Sequence, residues 1–255
     1  MEAKDRIIVA LDVSDVNKAT DLVKKLSPHV GLFKIGLEFI WSSIASLLLF
    51  PENEAIELLK KVRALAAAIG GPKAFMDAKL ADIPNTVKGA SLAISSLGVK
   101  MFNIHASAGA EAIKAAVAVK KNSLVFGVTV LTSIDDSECV SIFGDKPNHK
   151  VVDFVSMLAE NRADGTICSP KELSFLGASE VFSGLLKATP GVRPDWAVLG
   201  DQKRVMTPAE AIKAGADYLV IGRPITNPPA EIGSPVEAAK RIADEIASAI
   251  SQKGE

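Results

Sequence analysis

Short apolar segments alternate with amphipathic segments along the whole chain. The first apolar segment, Arg6–Asp12 (R-I-I-V-A-L-D), is continuous, and such runs are typical of parallel strands covered by helices on both faces. The segment after it shows helical spacing from Ser14, which we expect to cap the helix, and its apolar stripe consists of Ala19, Leu22, Val23 and Leu26. The pattern therefore predicts an α/β protein built from strand–helix units.

Eight such units follow one another with no linker, low-complexity segment or change of composition. The predicted strands are 6–12, 31–36, 73–79, 99–104, 123–131, 165–168, 184–189 and 218–222. The predicted helices are 14–26, 51–69, 85–97, 108–121, 151–161, 171–176, 208–214 and 236–250. Eight units in 255 residues predict one (β/α)8 TIM barrel, a single domain over residues 1–255. An open doubly wound sheet is the alternative, although no G-x-G-x-x-G motif follows the first strand.

Three further segments have less regular patterns. Residues 39–50 (F-I-W-S-S-I-A-S-L-L-L-F) form the longest uncharged apolar run, which is too short to span a bilayer. We expect this run to be a buried helix or a subunit contact. In the helix that follows, the residues expected to face inward are Ile56, Leu59, Val62, Leu65 and Ile69. Residues 134–150 lack clear periodicity and contain Gly144 and Pro147, so they predict a loop with one helical turn at most.

Charge and cysteine content exclude several classes of protein. The net charge of −1 gives no basic field for nucleic acid. The N-terminus is charged and lacks a signal core, and no segment predicts a membrane span. Cys139 and Cys168 have neither metal-ligand nor redox spacing, which suits a reducing compartment, so we expect a cytoplasmic protein. His105 ends a predicted strand, but no second histidine lies at metal-ligand spacing. A structural hydrogen-bonding role for His105 is therefore at least as good an interpretation as a functional one.

Polar side chains recur at the carboxyl ends of the predicted strands, where barrel enzymes place their sites. The densest group, Asp77, Lys79 and Asp82, ends the third strand, and Asn85 or Thr86 can cap the next helix. The other strand ends carry Asp12, Lys34, Thr132, Ser133, Arg193, Gly222 and Arg223. A structural network of salt bridges is the alternative interpretation, but scattered surface charge would not choose strand ends so regularly. This regularity favours a functional site.

The last strand ends predict a phosphate site. Gly222 allows close approach of a ligand to the backbone, and Arg223 offers a planar fork to a phosphate. The long loop 190–204 carries Arg193, Gln202, Lys203 and Arg204 and could close over an anion. An ordinary turn and a plain surface loop are the alternatives.

Taken together, these motifs resemble those of the orotidine 5′-phosphate decarboxylase family in its bacterial form. The motifs in order are A-L-D at Asp12, F-K-I-G at Lys34, F-M-D-A-K-L-A-D-I-P-N-T at 75–86, V-T-V-L-T-S at 128–133, T-P-G-V-R-P at 189–194, G-D-Q-K-R-V-M-T-P at 200–208 and Y-L-V-I-G-R-P-I-T at 218–226. The resemblance implies a (β/α)8 barrel that converts orotidine 5′-phosphate to UMP as a homodimer with shared active sites, without metal or organic cofactor.

The resemblance also implies roles for individual residues. Lys79 matches the lysine that protonates the ring carbon losing carbon dioxide, and Asp77 and Lys34 match its neighbours in an alternating charge network. Asp82, with Ile83 and Thr86, matches the segment that reaches into the partner's site. The implied substrate contacts are Asp12 for the ribose, Thr132 and Ser133 for the pyrimidine, and Arg193, Gln202, Gly222 and Arg223 for the phosphate end.

Two rival interpretations remain open at this point. Sugar-phosphate decarboxylases and hexulose-phosphate synthases share an Asp-x-Lys-x-x-Asp segment but use magnesium, held partly by an acid where this chain has Lys34. A non-catalytic phosphate-binding barrel would keep Gly222 and Arg223 but would not need Lys79 between two acids.

Overall fold

The computed structural model describes residues 1–177, 179–197 and 206–253, and within them eight parallel strands close into a barrel. The strands are β1 (Ile7–Ala10), β2 (Leu32–Ile35), β3 (Ala74–Leu80), β4 (Met101–His105), β5 (Leu124–Val128), β6 (Gly165–Ile167), β7 (Leu186–Pro190) and β8 (Tyr218–Ile221). Each strand pairs with the next, and β8 returns to β1 with Val220 opposite Ile8. The predicted barrel is confirmed, and the open-sheet alternative is wrong.

Helices follow the strands and form the outer layer of the barrel. They are α1 (Val16–Leu26), α2 (Leu37–Leu49), α3 (Glu52–Ile69), α4 (Pro84–Ser96), α5 (Ala110–Ala118), α6 (Asp136–Phe143), α7 (Pro147–Glu160), α8 (Pro170–Gly177), α9 (Pro208–Lys213), α10 (Arg223–Thr226) and α11 (Pro235–Lys253). Within the described ranges, no helix is long and apolar enough to cross a membrane.

The core has two layers, which explains the continuous apolar strands. Alternate strand residues such as Ile8 and Phe126 fill the barrel interior, where the Phe126 ring meets Tyr218 edge-on. Their neighbours, including Ile7 and Val9, pack outward against the helices. Because both faces of each strand are buried, a period-two pattern cannot appear in the sequence.

Two predicted helix caps are wrong. Asp15, not Ser14, caps α1, and its carboxylate accepts hydrogen bonds from the backbone N–H groups of Asn17 and Lys18. Helix α4 begins at Pro84, so Asn85 and Thr86 already lie inside it and no side chain caps it. Proline suits the first helical position because its φ angle is already helical and its missing N–H is not needed there. The predicted apolar stripe of α1 is confirmed.

The prediction of a loop over residues 134–150 is also wrong. Helix α6 fills 136–143, capped by Asp135 and ended by Gly144 in the left-handed conformation. Pro147 begins α7 rather than breaking it. Periodicity was a weak signal here because Cys139 is the one buried residue of α6, so the helix has no apolar stripe.

The apolar run at 39–50 forms α2, but this helix is not buried. Phe39 is its one buried residue, whereas Trp41 is 62% exposed and Leu49 80% exposed. Two predicted inward residues of α3, Ile56 and Leu59, are also nearly half exposed. The buried-helix alternative is therefore wrong, and the subunit contact stays a prediction.

Candidate active site

A cavity of about 450 Å³ opens at the carboxyl ends of the strands. Its size falls in the range of roughly 300–1,000 Å³ that is usual for small-molecule sites. The lining comes from the ends of all eight strands and includes eight predicted site residues: Asp12, Lys34, Asp77, Lys79, Thr132, Arg193, Gly222 and Arg223. The fold thus gathers side chains that lie more than 200 positions apart in the sequence.

Four of these side chains form a chain of alternating charge. The Lys34 Nζ lies 2.9 Å from Asp12 Oδ1 and 3.1 Å from Asp77 Oδ2. The Lys79 Nζ lies 2.6 Å from Asp77 Oδ1. The strands β1, β2 and β3 lie side by side, so the order Asp12–Lys34–Asp77–Lys79 follows directly from their adjacency.

The four charges of this alternating network stabilise one another's ionised forms against the cost of burial. Burial alone would raise the pKa of Asp77, but the Lys34 and Lys79 ammonium groups and the Asn103 amide hold it below its ordinary value. Burial alone would lower the pKa of Lys34, but Asp77 and Asp12 hold it above its ordinary value. Both groups are therefore ionised at neutral pH. The Lys79 side chain lines the cavity and is 31% exposed.

The backbone at Lys79 departs from regular strand geometry. Lys79 has φ of 46°, in the left-handed region that L-residues rarely adopt, and the β3–β4 register shifts between Met76 and Leu80. The Asn103 Oδ1 accepts the Lys79 backbone N–H at 2.7 Å, and the Asn103 Nδ2 donates to Asp77 Oδ1 at 2.6 Å. The strand-end pattern of the sequence did not single out Asn103. Its signal is a polar residue inside the apolar strand M-F-N-I-H.

At the other side of the cavity, two arginines form a cationic end. The Arg193 side chain is mostly buried, and its Nε has no hydrogen-bond partner among the described residues. Burial, and then the charge of Arg223, lower the pKa of Arg193. Two like charges in one pocket favour an anionic ligand. Gln202, Lys203 and Arg204 of the predicted lid lie outside the described residues.

Some predicted site residues do not reach this cavity in the single chain. Asp82, Ile83 and Thr86 are exposed beyond the end of β3, and Ser133 is exposed beside Thr132. Asp82 accepts the backbone N–H of Ile83 and, within the part of the chain described, forms no ion pair with Lys79. Among the described residues, Asp77 alone therefore forms an ion pair with Lys79.

His105 and the two cysteines have no evident place in the chemistry. Burial, and then the charge of Lys79, lower the pKa of His105, which leaves the ring neutral at pH 7. Burial raises the pKa of Cys168 to about 12, so this cavity-lining thiol stays protonated. In the described ranges, no three His, Cys, Asp or Glu side chains are grouped to hold a metal ion.

Comparison with known proteins gives consistent matches over almost the whole chain. The model of the orotidine 5′-phosphate decarboxylase / HUMPS family matches residues 5–242. An orotidine 5′-phosphate decarboxylase from Moorella thermoacetica is 40% identical over 96% of this chain and 94% of that protein. One from Trichlorobacter lovleyi is 40% identical over 98% of each. Among solved structures, the orotidine 5′-phosphate decarboxylase of Lactobacillus acidophilus superposes with a TM-score of 0.71 and 28% identity, covering 94% of this chain and 98% of that one.

Proposed function

Because the chain belongs to the orotidine 5′-phosphate decarboxylase / HUMPS family, we propose that it converts orotidine 5′-phosphate to UMP without metal or organic cofactor. The observation that carries this proposal is the alternating chain Asp12–Lys34–Asp77–Lys79 at the strand-end cavity. It presents one ammonium group, that of Lys79, at the open side of a buried charge network.

The reaction needs a cation at the carbon that loses carbon dioxide. The bond from the ring carbon to the carboxylate breaks, and its electron pair remains on that carbon. The Lys79 ammonium stabilises the developing carbanion because it is already fixed in place, and it then donates its proton to the same carbon. Solvent afterwards returns a proton to the lysine. Asp77, at 2.6 Å, is the counterion that holds the Lys79 ammonium group in place for this step.

The remaining cavity residues bind the parts of the nucleotide that do not react. Arg193 and Arg223, with the backbone at Gly222, hold the phosphate. The family resemblance assigns Gln202, which lies outside the described residues, to the same contact. Asp12, whose side chain is 56% exposed, accepts hydrogen bonds from the ribose hydroxyl groups. Thr132 faces the pyrimidine from the cavity lining, and the neighbouring Ser133, which is exposed in the single chain, joins it when the nucleotide is bound. Binding energy from the phosphate can then be used to position the ring on Lys79.

We also propose a homodimer with shared active sites. Asp82 and Thr86 are exposed beside Ile83, an apolar side chain that is 67% exposed. In the dimer these three residues enter the partner's site, where Asp82 approaches the partner's ammonium group. Free buried thiols and a charged nucleotide substrate also favour a cytoplasmic location.

The test is incubation with orotidine 5′-phosphate while pyrimidine absorbance is followed, with and without a chelator. We expect turnover that chelation does not change and that Lys79→Ala abolishes while UMP binding persists. Activity that falls on chelation and returns with magnesium would favour the sugar-phosphate enzymes. Binding of UMP without turnover by the wild-type chain would favour the non-catalytic barrel.

A further inference from the structure

Asn103 joins the two charged groups at the centre of the site through both ends of its amide. Its side chain is fully buried in β4. One amide atom faces the Lys79 backbone N–H at 2.7 Å and the other faces the Asp77 carboxylate at 2.6 Å. A backbone N–H needs an acceptor and a carboxylate needs a donor, so a primary amide in this orientation satisfies both.

The strand register shows why a side chain is needed at this point. Met76 pairs with Phe102, and the next pair is Leu80 with Ile104. Three residues of β3, 77 to 79, therefore stand opposite the single residue Asn103 of β4. A regular ladder cannot satisfy the extra backbone groups, and the Asn103 oxygen takes the place of a strand carbonyl for Lys79.

We propose that Asn103 is a positioning residue for decarboxylation, which holds Lys79 in its left-handed backbone conformation while orienting Asp77 toward the same ammonium group. This inference rests on the proposed function for its catalytic consequence. A left-handed lysine is strained and persists only where its surroundings fix it. Asn103 supplies that fixation from a neighbouring strand, so the Lys79 Nζ stays aimed into the cavity with its proton.

Two substitutions separate the donor and acceptor roles. Asn103→Leu keeps the approximate volume and removes both hydrogen bonds. Asn103→Asp keeps an acceptor for the Lys79 N–H but, when ionised, places a second carboxylate against Asp77. Thr166→Val is the matched control, because Thr166 is a fully buried strand residue whose side chain forms one hydrogen bond among the described residues, from Oγ1 to the Gly127 carbonyl. Thr166 is not among the residues that line the cavity.

For Asn103→Leu we expect kcat to fall about 100-fold, the loss typical of a misplacement of about 1 Å. The Kd for UMP, measured by calorimetry on folded protein, should change by no more than about threefold, because ground-state binding through the phosphate is untouched. Thr166→Val should keep its kcat. A folded Asn103→Leu variant with wild-type kcat, or one that loses kcat and UMP binding equally, would overturn the inference.

The pH profile gives a signature that a purely structural role lacks. Two adjacent carboxylates share a proton more readily as the pH falls, and the shared proton restores a donor between residues 103 and 77. The ratio of wild-type to Asn103→Asp kcat should therefore shrink toward acid pH, and a pH-independent ratio would contradict the proposal. This variant is nearly isosteric, so it carries the test if Asn103→Leu does not fold.

A crystal structure of either variant provides a readout that needs no turnover. We expect Lys79 to leave the left-handed region or its Nζ to leave Asp77. Unchanged geometry would overturn the inference even if the chain had another activity. A wild-type chain that does not decarboxylate orotidine 5′-phosphate would instead overturn the proposed function alone.

Discussion

Asp77→Asn tests whether the charge network stabilises the fold as well as the reaction. Asp77 is the central member of the network, in contact with Lys34 and Lys79 and with the Asn103 amide. The substitution keeps the size of the side chain and removes its charge. We expect turnover to be lost, since Lys79 no longer has its counterion, and we expect a measurable loss of stability.

The size of that loss follows from the surroundings of the two lysines. Removing one partner of a fully buried ion pair costs about 3–5 kcal/mol. Here Lys34 keeps Asp12 at 2.9 Å, and Lys79 is 31% exposed, so water solvates part of its charge. The expected loss is therefore nearer to one charged hydrogen bond, about 2–3 kcal/mol at pH 7.

The dependence on pH identifies the source of this loss. The native pKa of Asp77 lies below its ordinary value of 3.8, so the stability it contributes is complete above that value and disappears as pH falls through the native pKa. The difference between wild type and Asp77→Asn should be constant from about pH 5 to pH 8 and should narrow below about pH 4.

Urea unfolding followed by circular dichroism, at one protein concentration and several pH values, measures this difference. The control is Asp21→Asn, the same chemical change on an exposed position of α1, which should alter stability by no more than about 0.5 kcal/mol. A difference of the same size at pH 3 and pH 7 would refute the electrostatic reasoning, as would no difference at either pH.

Three further predictions address the dimer, the phosphate end and the barrel core. Mixing Lys79→Ala and Asp82→Ala chains under exchanging conditions should restore activity to about a quarter of wild type, since about half the dimers are mixed and each mixed dimer has one intact site; no recovery despite proven exchange would contradict shared sites. Arg223→Ala should lower kcat/KM by a factor corresponding to about 1.5–3 kcal/mol, and added guanidinium should restore part of the lost activity. The control Arg63→Ala, at an exposed position, should leave kcat/KM unchanged. Gly165→Ala should destabilise by about 1–3 kcal/mol, because its Cβ would lie 2.5 Å from the Phe126 ring and 2.6 Å from the Leu186 carbonyl oxygen. The control is Gly89→Ala on α4, where the added Cβ meets open space, and this variant should raise the midpoint of thermal unfolding slightly. Equal changes in stability for the two variants would show that the barrel relaxes around Gly165.

The sequence by itself predicted the eight units and the charged residues that line the cavity. Continuous apolar runs such as Ile7–Ala10 indicate strands buried on both faces, and in a barrel every strand end points to one rim. Asp12, Lys34 and Asp77 could therefore be grouped from their positions at strand ends alone. These features are local, because each depends on a few neighbouring residues.

Only the tertiary structure decided features that depend on distant partners. Closure requires β8 to pair with β1, more than 200 residues away, and no local pattern records that pairing. Periodicity could not predict the exposure of α2, because the sequence of an apolar helix is the same whether or not another element covers it. It could not predict the helix at 136–143 either, because that helix buries one residue and has no apolar stripe. The shift at Lys79 and the two-sided role of Asn103 arise from the mismatch between β3 and β4. A strand's residues set its propensity, but the register between two strands is a property of the pair, and that register placed the ammonium group.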